Sequence, residues 1–546
     1  GTTAANPVSD LNNSVAESIN AYVLSNYSLR YVWKELTFKA SVGLNRERVT
    51  QNYFSPSYTA LGLANSGLVG IGNKSNESWL QEYTIDWNHS FPTSEVSALV
   101  GYTRQDSQSS WLTQMGRLLT NDAKKQYSLA DAETLDTPVA DESRSDLNSV
   151  IGRVNYTLKG RYNATATIRG DRSSRLTADG GWGWFPSLGL SWNASEEGFL
   201  KDNATVSNLK IRLSAGTVGN QEIGDLDYAL QYTAGKYAGS ASYSITNSGA
   251  DLKWETTTSF NAGFDLGFFD QRLTLEADAY YKKTSDLLLQ VPQGIGSSTA
   301  TQMENVGNVE NKGVEVSVSG DVIRRKNVLW TASANIAFNK NTVTKTAGSD
   351  VISGVQNQNI LREGESLGSF YGLKFAGYEN GQATFVDYDG NGSISYNDRI
   401  VLGSIQPKFT YGFNSTLTWK NLDAYVGLQG SYGNKLYNST GRLLSSPTAS
   451  YNLLRSTKAT QTRPTNYIDS RYVEDASYLK LKNLTIGYTF KLQAGNTPFT
   501  LRVFAQASNL LTLTDYSGYD PEVSSGTDTS AYPASRSFTF GAGLTF

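Results

Sequence analysis

At 546 residues the chain holds 50 Gly, 32 Tyr and 10 Trp but only 12 Pro, and 47 basic against 50 acidic side chains leave a formal charge of −3. Near-neutral charge without a dominant basic stretch offers nucleic acid no footprint, the lack of cysteine excludes disulfides, thiolate metal sites and a cysteine nucleophile, and no run of about 18 apolar residues provides a transmembrane helix. A mean hydropathy of −0.39 still suits membrane-spanning strands, whose inner face is polar.

Gly1 to Asn20 has none of the basic, apolar and small-residue order of a signal peptide and reads as polar loop running into a strand. Beyond it, two-residue alternation predicts strands near 20–31, 36–45, 79–91, 96–105, 146–158, 162–172, 182–194 and 209–218. The series continues near 253–268, 272–290, 309–322, 328–339, 407–419, 422–433, 476–490, 498–511 and 536–546. Within it the faces separate: Leu273, Leu275, Ala277, Ala279 and Tyr281 alternate with Thr274, Glu276, Asp278, Tyr280 and Lys282. Likewise Phe409, Tyr411, Phe413, Leu417 and Trp419 alternate with Thr410, Gly412, Asn414, Thr416 and Thr418.

A soluble sheet with one wet face explains one such hairpin. It does not explain a series in which short connections (Trp33 to Glu35, Pro92 to Glu95, Lys159 to Arg161, Asp270 and Gln271, Arg324 to Asn327, Lys420 and Asn421) alternate with long ones. A transmembrane β-barrel does, because only a closed sheet satisfies every backbone group in lipid. The short turns are then periplasmic, the long loops extracellular, and Glu276 and Asp278 face a wet lumen.

About seventeen strands are predicted, whereas single-chain bacterial barrels have even numbers with both termini periplasmic. A series opening on a descending strand lacks an odd number of strands, and five more give about twenty-two, the size of plugged outer-membrane transporters. Residues 1–546 are therefore expected to form an all-β, antiparallel barrel segment whose first strand, near Tyr22 to Tyr31, pairs with something outside it. The last strand sets Phe538, Phe540, Ala542, Leu544 and Phe546 on one face and ends on an aromatic residue. That ending resembles the signal read by the barrel assembly machinery, although any β-protein can end in Phe by chance.

One loop carries metal chemistry. From Asp387 the chain reads DYDGNGSISYND, which puts Asp387, Asp389 and Asn391 at positions one, three and five of a twelve-residue calcium loop. Gly392 falls at six, Ser393 at seven, Ile394 at eight, Ser395 at nine and Asp398 at twelve. Hard oxygen ligands converge, Gly392 permits the sharp turn, the Ser393 carbonyl can ligate, and Ile394 is expected to anchor the loop. Asp398 in place of the usual Glu points to weaker binding or a lower coordination number. The alternative is a solvated turn rich in Asp, Asn and Gly. Without flanking helices, the expected role is a structural Ca2+ stapling an extracellular loop.

His89 is the only histidine, so histidine triads and multi-histidine zinc sites have no support. Tyr371, Tyr378 and Tyr472 sit in loops, where they can stack on sugar rings or simply pack.

The stretches DYDGNGSISYNDRIVLGSIQPKFTYGFNSTLTW, LDAYVGLQGSYGN, RYVEDASYLKLKNLTIGYTF, ENVGNVENKGVEVSVSG and WGWFPSLGLSWNASEEGFL resemble the C-terminal barrel of SusC/RagA-type TonB-dependent transporters. The resemblance implies a 22-stranded barrel filled by a plug, a SusD-like surface lipoprotein as lid, and import of oligosaccharides or peptides across a Gram-negative outer membrane with energy from TonB. Neither a plug nor a TonB box is found in the sequence, so TonB would act through a plug outside this segment. The expected function is transport without chemistry on the substrate. The alternative is a barrel-anchored adhesion or scaffold protein with calcium-stapled loops; an outer-membrane hydrolase is disfavoured by the lack of a histidine-centred constellation.

Overall fold

The computed structural model describes residues 7–546 except 178–180, 238–239, 295, 347, 349, 355–357, 446–452, 455–466 and 496. Its main sheet contains seventeen long strands: β1 Val15–Trp33, β2 Leu36–Ser55, β3 Leu68–Ser90, β4 Ser94–Leu119, β5 Val139–Leu158, β6 Tyr162–Ser173, β7 Trp182–Asn193 and β8 Val206–Asn220. These are followed by β9 Glu255–Phe268, β10 Leu273–Ser285, β11 Asn308–Arg325, β12 Val328–Lys345, β13 Phe409–Trp419, β14 Leu422–Tyr432, β15 Tyr478–Ala494, β16 Thr497–Thr514 and β17 Ser537–Thr545. Each pairs antiparallel with the next. Ala132–Leu135 adds a short strand to the far end of β4. Among the described residues β1 pairs only with β2 and β17 only with β16.

The predicted strands are all present, with altered ends. The predicted 36–45, 79–91 and 96–105 grow into β2, β3 and β4 of 20, 23 and 26 residues. Their outer halves, such as Arg46-Glu47-Arg48 against Ser75-Asn76-Glu77, are polar on both faces, yet the ladder continues because backbone hydrogen bonds do not depend on side-chain polarity. The predicted 272–290 instead stops at Ser285, and Leu288–Pro292 forms a separate hairpin with Thr301–Asn305. The N-terminal polar stretch contains a short helix, Pro7–Asn13, and the strand starts earlier, at Val15.

Register sorts the faces as the alternation requires. Leu273, Leu275 and Ala277 of β10 stand opposite Phe268, Leu266 and Phe264 of β9, building a continuous apolar outer wall. On the inner face Arg212 of β8 reaches across two strands, to Asp265 Oδ1 at 2.7 Å and Asp278 Oδ1 at 2.8 Å. A second crossing joins Arg502 of β16 to Asp423 of β14 at 2.5 Å, over Gly487 of β15. A Cβ on Gly487 would sit 2.6 Å from the Asp423 carboxylate and 2.7 Å from the guanidinium, so glycine is what lets the pair close.

Candidate functional site

The connections on one side of the sheet are tight, and those on the other fold into a cap. Within 346–408, Val351–Ser353, Asn359–Leu361, Ser369–Leu373 and Arg399–Ser404 form a four-stranded sheet. Lys435–Asn438 pairs with Val473–Asp475 and, in parallel, with Thr527–Asp528, so the loops after β14 and β16 share a second sheet. The two sheets meet through Phe370, Tyr437, Ile468 and Val473, all buried. Gly372 permits a close approach: Leu373 N–H donates to the Ile468 carbonyl at 2.9 Å, and a Cβ on Gly372 would lie 2.4 Å from that oxygen.

The acidic loop enters this cap just ahead of the Arg399–Ser404 strand. Asp387, Asp389 and Asp398 bring carboxylate oxygens within 4.8 Å of one another, a spread that one Ca2+ bridges with opposed oxygens at about 2.4 Å each. Gly390 and Gly392, both with positive φ, turn their N–H groups onto Asp387 at 2.7 and 2.8 Å. Asn391 donates to Asp389 Oδ2 at 2.8 Å while its own Oδ1 accepts Ser393 N–H.

Two positions serve differently from a simple ligand list. Asp398 is fully buried and accepts N–H groups from Ser395 at 2.7 Å and Tyr388 at 2.8 Å, which ties both ends of the loop together. Those amides hold its carboxyl below the usual range against the opposing cost of burial. Ser395 caps the turn Tyr396–Asp398 through its hydroxyl. Ile394, expected as the anchor, is 42% exposed. The anchor is Arg399, stacked on Tyr396 at 3.9 Å, Tyr371 at 4.5 Å and Tyr467 at 5.0 Å.

That stack removes Tyr371 from the sugar-binding candidates. Tyr472 lies under Arg471, whose guanidinium forks onto the fully buried Asp469. Tyr378 remains exposed, edge-on to Phe375 at 5.0 Å. Arg471 also covers Phe375 at 5.1 Å and Phe385 at 5.7 Å, joining the loop before β15 to the loop before β13.

A further cluster went unforeseen. Glu522, in the loop before β17, is held against the inner wall by Gln429 Nε2 at 2.6 Å and Tyr478 Oη at 2.9 Å on one oxygen. Lys482 Nζ at 3.1 Å and Lys480 Nζ occupy the other. Lys480 also reaches Asp520 at 2.7 Å. Burial pushes the Glu522 carboxyl up, but the bonds from Lys480, Tyr478 and Lys482 outweigh it and leave it below its ordinary range. The sequence signal was Lys480 and Lys482 on the lumen face of β15; the partner, about 40 residues away, had no signal.

Phe538, Phe540 and Leu544 lie exposed on the outer face of β17, opposite Ala507, Ala505 and Leu501, and Phe546 is exposed just beyond. His89 bonds to Glu35 at 2.6 Å at the rim of the tight turns.

The family model for the TonB dependent receptor-like β-barrel matches residues 2–510. TonB-dependent receptor P3 of Formosa agariphila is 32% identical over 99% of this chain and 60% of its own. TonB-dependent receptor SusC of Bacteroides thetaiotaomicron is 36% identical over 74% of this chain and 44% of its own. The RagAB peptide transporter structure superposes with a TM-score of 0.87 at 25% identity, over 98% of this chain and 62% of that one. The chain thus spans about 60% or less of the length of these curated relatives.

Proposed function

The chain belongs to the TonB-dependent receptor β-barrel family of Gram-negative outer membranes, and from that premise we propose that it is the barrel of a SusC/RagA-type importer of oligosaccharides or peptides. The family's members are transporters rather than enzymes; the wet, charge-lined inner face and the folded cap suit a route for a polar cargo that leaves the cargo unaltered. The observation that carries this reading is the joint one: seventeen antiparallel strands, with an apolar outer wall that gives way to polar outer halves in β2 to β4, end in a cap built from three interlocked loops, on the side where a lipoprotein lid of the SusD kind would close. Among the described residues the outer edges of β1 and β17 carry no strand partner, and strand edges in a bilayer are paired.

We further propose that a Ca2+ ion staples the acidic loop of the cap. Asp387, Asp389, Asn391 and Asp398, with the Ser393 carbonyl, would hold it, where it neutralises three clustered carboxylates.

The test is gentle detergent extraction of the whole protein with its neighbours, paired with uptake assays in cells lacking the gene or TonB. Co-purification of a surface lipoprotein and loss of growth on particular glycans or peptides in both strains is expected. Unchanged growth on every source, with no lipoprotein partner, would overturn import in favour of adhesion.

A further inference from the structure

On the outer wall, near the tight turns, β10 to β13 enclose an apolar recess of about 460 Å³. Its floor is Gly320, Ala332 and Ala334, and its walls are Leu273, Val318 and Phe413. The register explains the hollow: Gly320 stands opposite Leu273 on one side and Ala332 on the other, while Val318 stands opposite Ala334, so small side chains meet where neighbouring pairs are large. Gly320 cannot be enlarged, since a Cβ there would lie 2.6 Å from the Arg272 carbonyl oxygen.

Basic residues gather between this recess and the turns, beyond the outward pair Ile323 and Trp330. Arg272 lines the recess, and Arg325 stands opposite Val328 on the outward-facing set of β12. Lys326 follows directly, and Lys420 belongs to the adjoining turn, where its N–H donates to the Asn327 carbonyl at 2.8 Å. Asp321 also lines the recess, and its carboxylate is engaged by Arg324 at 3.4 Å. No carboxylate pairs with Arg272, Arg325, Lys326 or Lys420 among the described residues.

We propose that this recess is a binding site for one anionic diacyl phospholipid of the periplasmic leaflet. An acyl chain lies along the Gly320, Ala332 and Ala334 floor, and the headgroup phosphate meets Arg272, Arg325 and Lys326 at the level of the turns. The charge pattern selects this occupant: a second copy of the chain on the same face would bring these cations toward their own counterparts, and lipopolysaccharide occupies the opposite leaflet. Each cation near the surface favours an anionic lipid, and the apolar floor retains it by burying its chain.

The whole protein, purified in mild detergent and exposed to vesicles of palmitoyl-oleoyl phosphatidylglycerol or phosphatidylcholine, is examined by native mass spectrometry. One phosphatidylglycerol retained at least about tenfold more often than phosphatidylcholine is expected, given roughly 1 kcal/mol per cation. Arg325→Gln with Lys326→Gln lowers that preference about tenfold or more, and Arg325→Lys restores it. Ala334→Phe, which fills the floor and leaves the cations in place, lowers retention of both lipids; should the charge variants fail to insert, it decides alone. Equal retention of the two lipids, retention unchanged by Ala334→Phe, or a loss of dimer instead of lipid in Ala334→Phe would each overturn the proposal.

Discussion

Replacing Glu522 by Gln keeps the side chain's shape and an acceptor for Gln429 and Tyr478, but removes the charge that faces Lys480 and Lys482. Breaking one partner of a buried pair costs about 3–5 kcal/mol. Here Lys480 is 3% exposed but Glu522 is 23% exposed, and Lys480 retains Asp520. Solvent screening and the surviving partner therefore bring the cost down to about 2–3 kcal/mol. That raises the population in which the loop is released from the wall by about 30- to 150-fold. Hydrogen exchange of the amides in 516–526 of the whole protein reads this opening directly. The same contact responds to pH: the folded Glu522 carboxyl titrates below its ordinary range, so its stabilisation is complete above about pH 4.3 and is lost as pH falls through the lowered value. Exchange within about threefold of the parent in Glu522→Gln, or an opening that includes the β15 ladder, would refute the idea that this carboxylate pins the loop.

Three further outcomes test other parts of the structure. Asp389→Ala should weaken Ca2+ binding at least about tenfold by calorimetry while the loop keeps the amide contacts of Asp398; binding equal to the parent would return 387–398 to an ordinary solvated turn. Ala277→Arg on the outer face should cost about 2–4 kcal/mol of barrel stability, whereas Glu276→Arg one residue away on the wet face should cost far less; equal losses in urea titrations would contradict the face assignment. Deleting Phe546 should reduce the amount of folded protein in outer-membrane fractions without lowering the heat resistance of what does fold, and undiminished amounts by immunoblot would remove it from the assembly signal.

The wall was legible because a strand between lipid and water must alternate, and β10, with Leu273, Leu275 and Ala277 against Thr274, Glu276 and Asp278, can satisfy that in one register only. Legibility stopped where the lipid does. The outer halves of β2 to β4 stand in water, so Arg46, Glu47 and Arg48 bear no period, and their order comes from the backbone ladder alone. The acidic loop was legible because the carboxylates that meet in it fall within twelve consecutive residues, and Gly392 takes the positive φ that its place in the spacing required. Its anchoring was misread: Ile394 is exposed, and the Arg399 stack depends on Tyr371 and Tyr467, tens of residues away in sequence. The Glu522 cluster was hidden for the same reason, since an ion pair across 40 residues leaves no local pattern.

Those distant contacts carry a consequence for calcium. The acidic loop runs through Asp398 into the Arg399–Ser404 strand, and Ile405 follows directly. A Cβ on Gly526 would lie 2.4 Å from Ile405 Cγ2, so the loop before β17 rests on that side chain with no space to spare. Tyr437 N–H donates to the Gly526 carbonyl at 2.9 Å, and Gln358 donates to Thr527. Glu522 lies four residues from this junction. Ordering of 387–398 by Ca2+ should therefore be felt at 516–526, through packed contact rather than long-range field. Groups sharing partners couple by about 0.5–3 kcal/mol; with one strand and one side chain intervening, the low end, about 0.5–1 kcal/mol, is expected. Removing Ca2+ with a chelator should thus speed exchange at 516–526 by about two- to fivefold in the parent. In Asp389→Ala, at a Ca2+ concentration that fills the parent but not the weakened site, the chelator should have little effect there. If chelation opens 387–398 yet leaves 516–526 unchanged, the three loops are separate bodies that only touch, and calcium staples one loop rather than the cap.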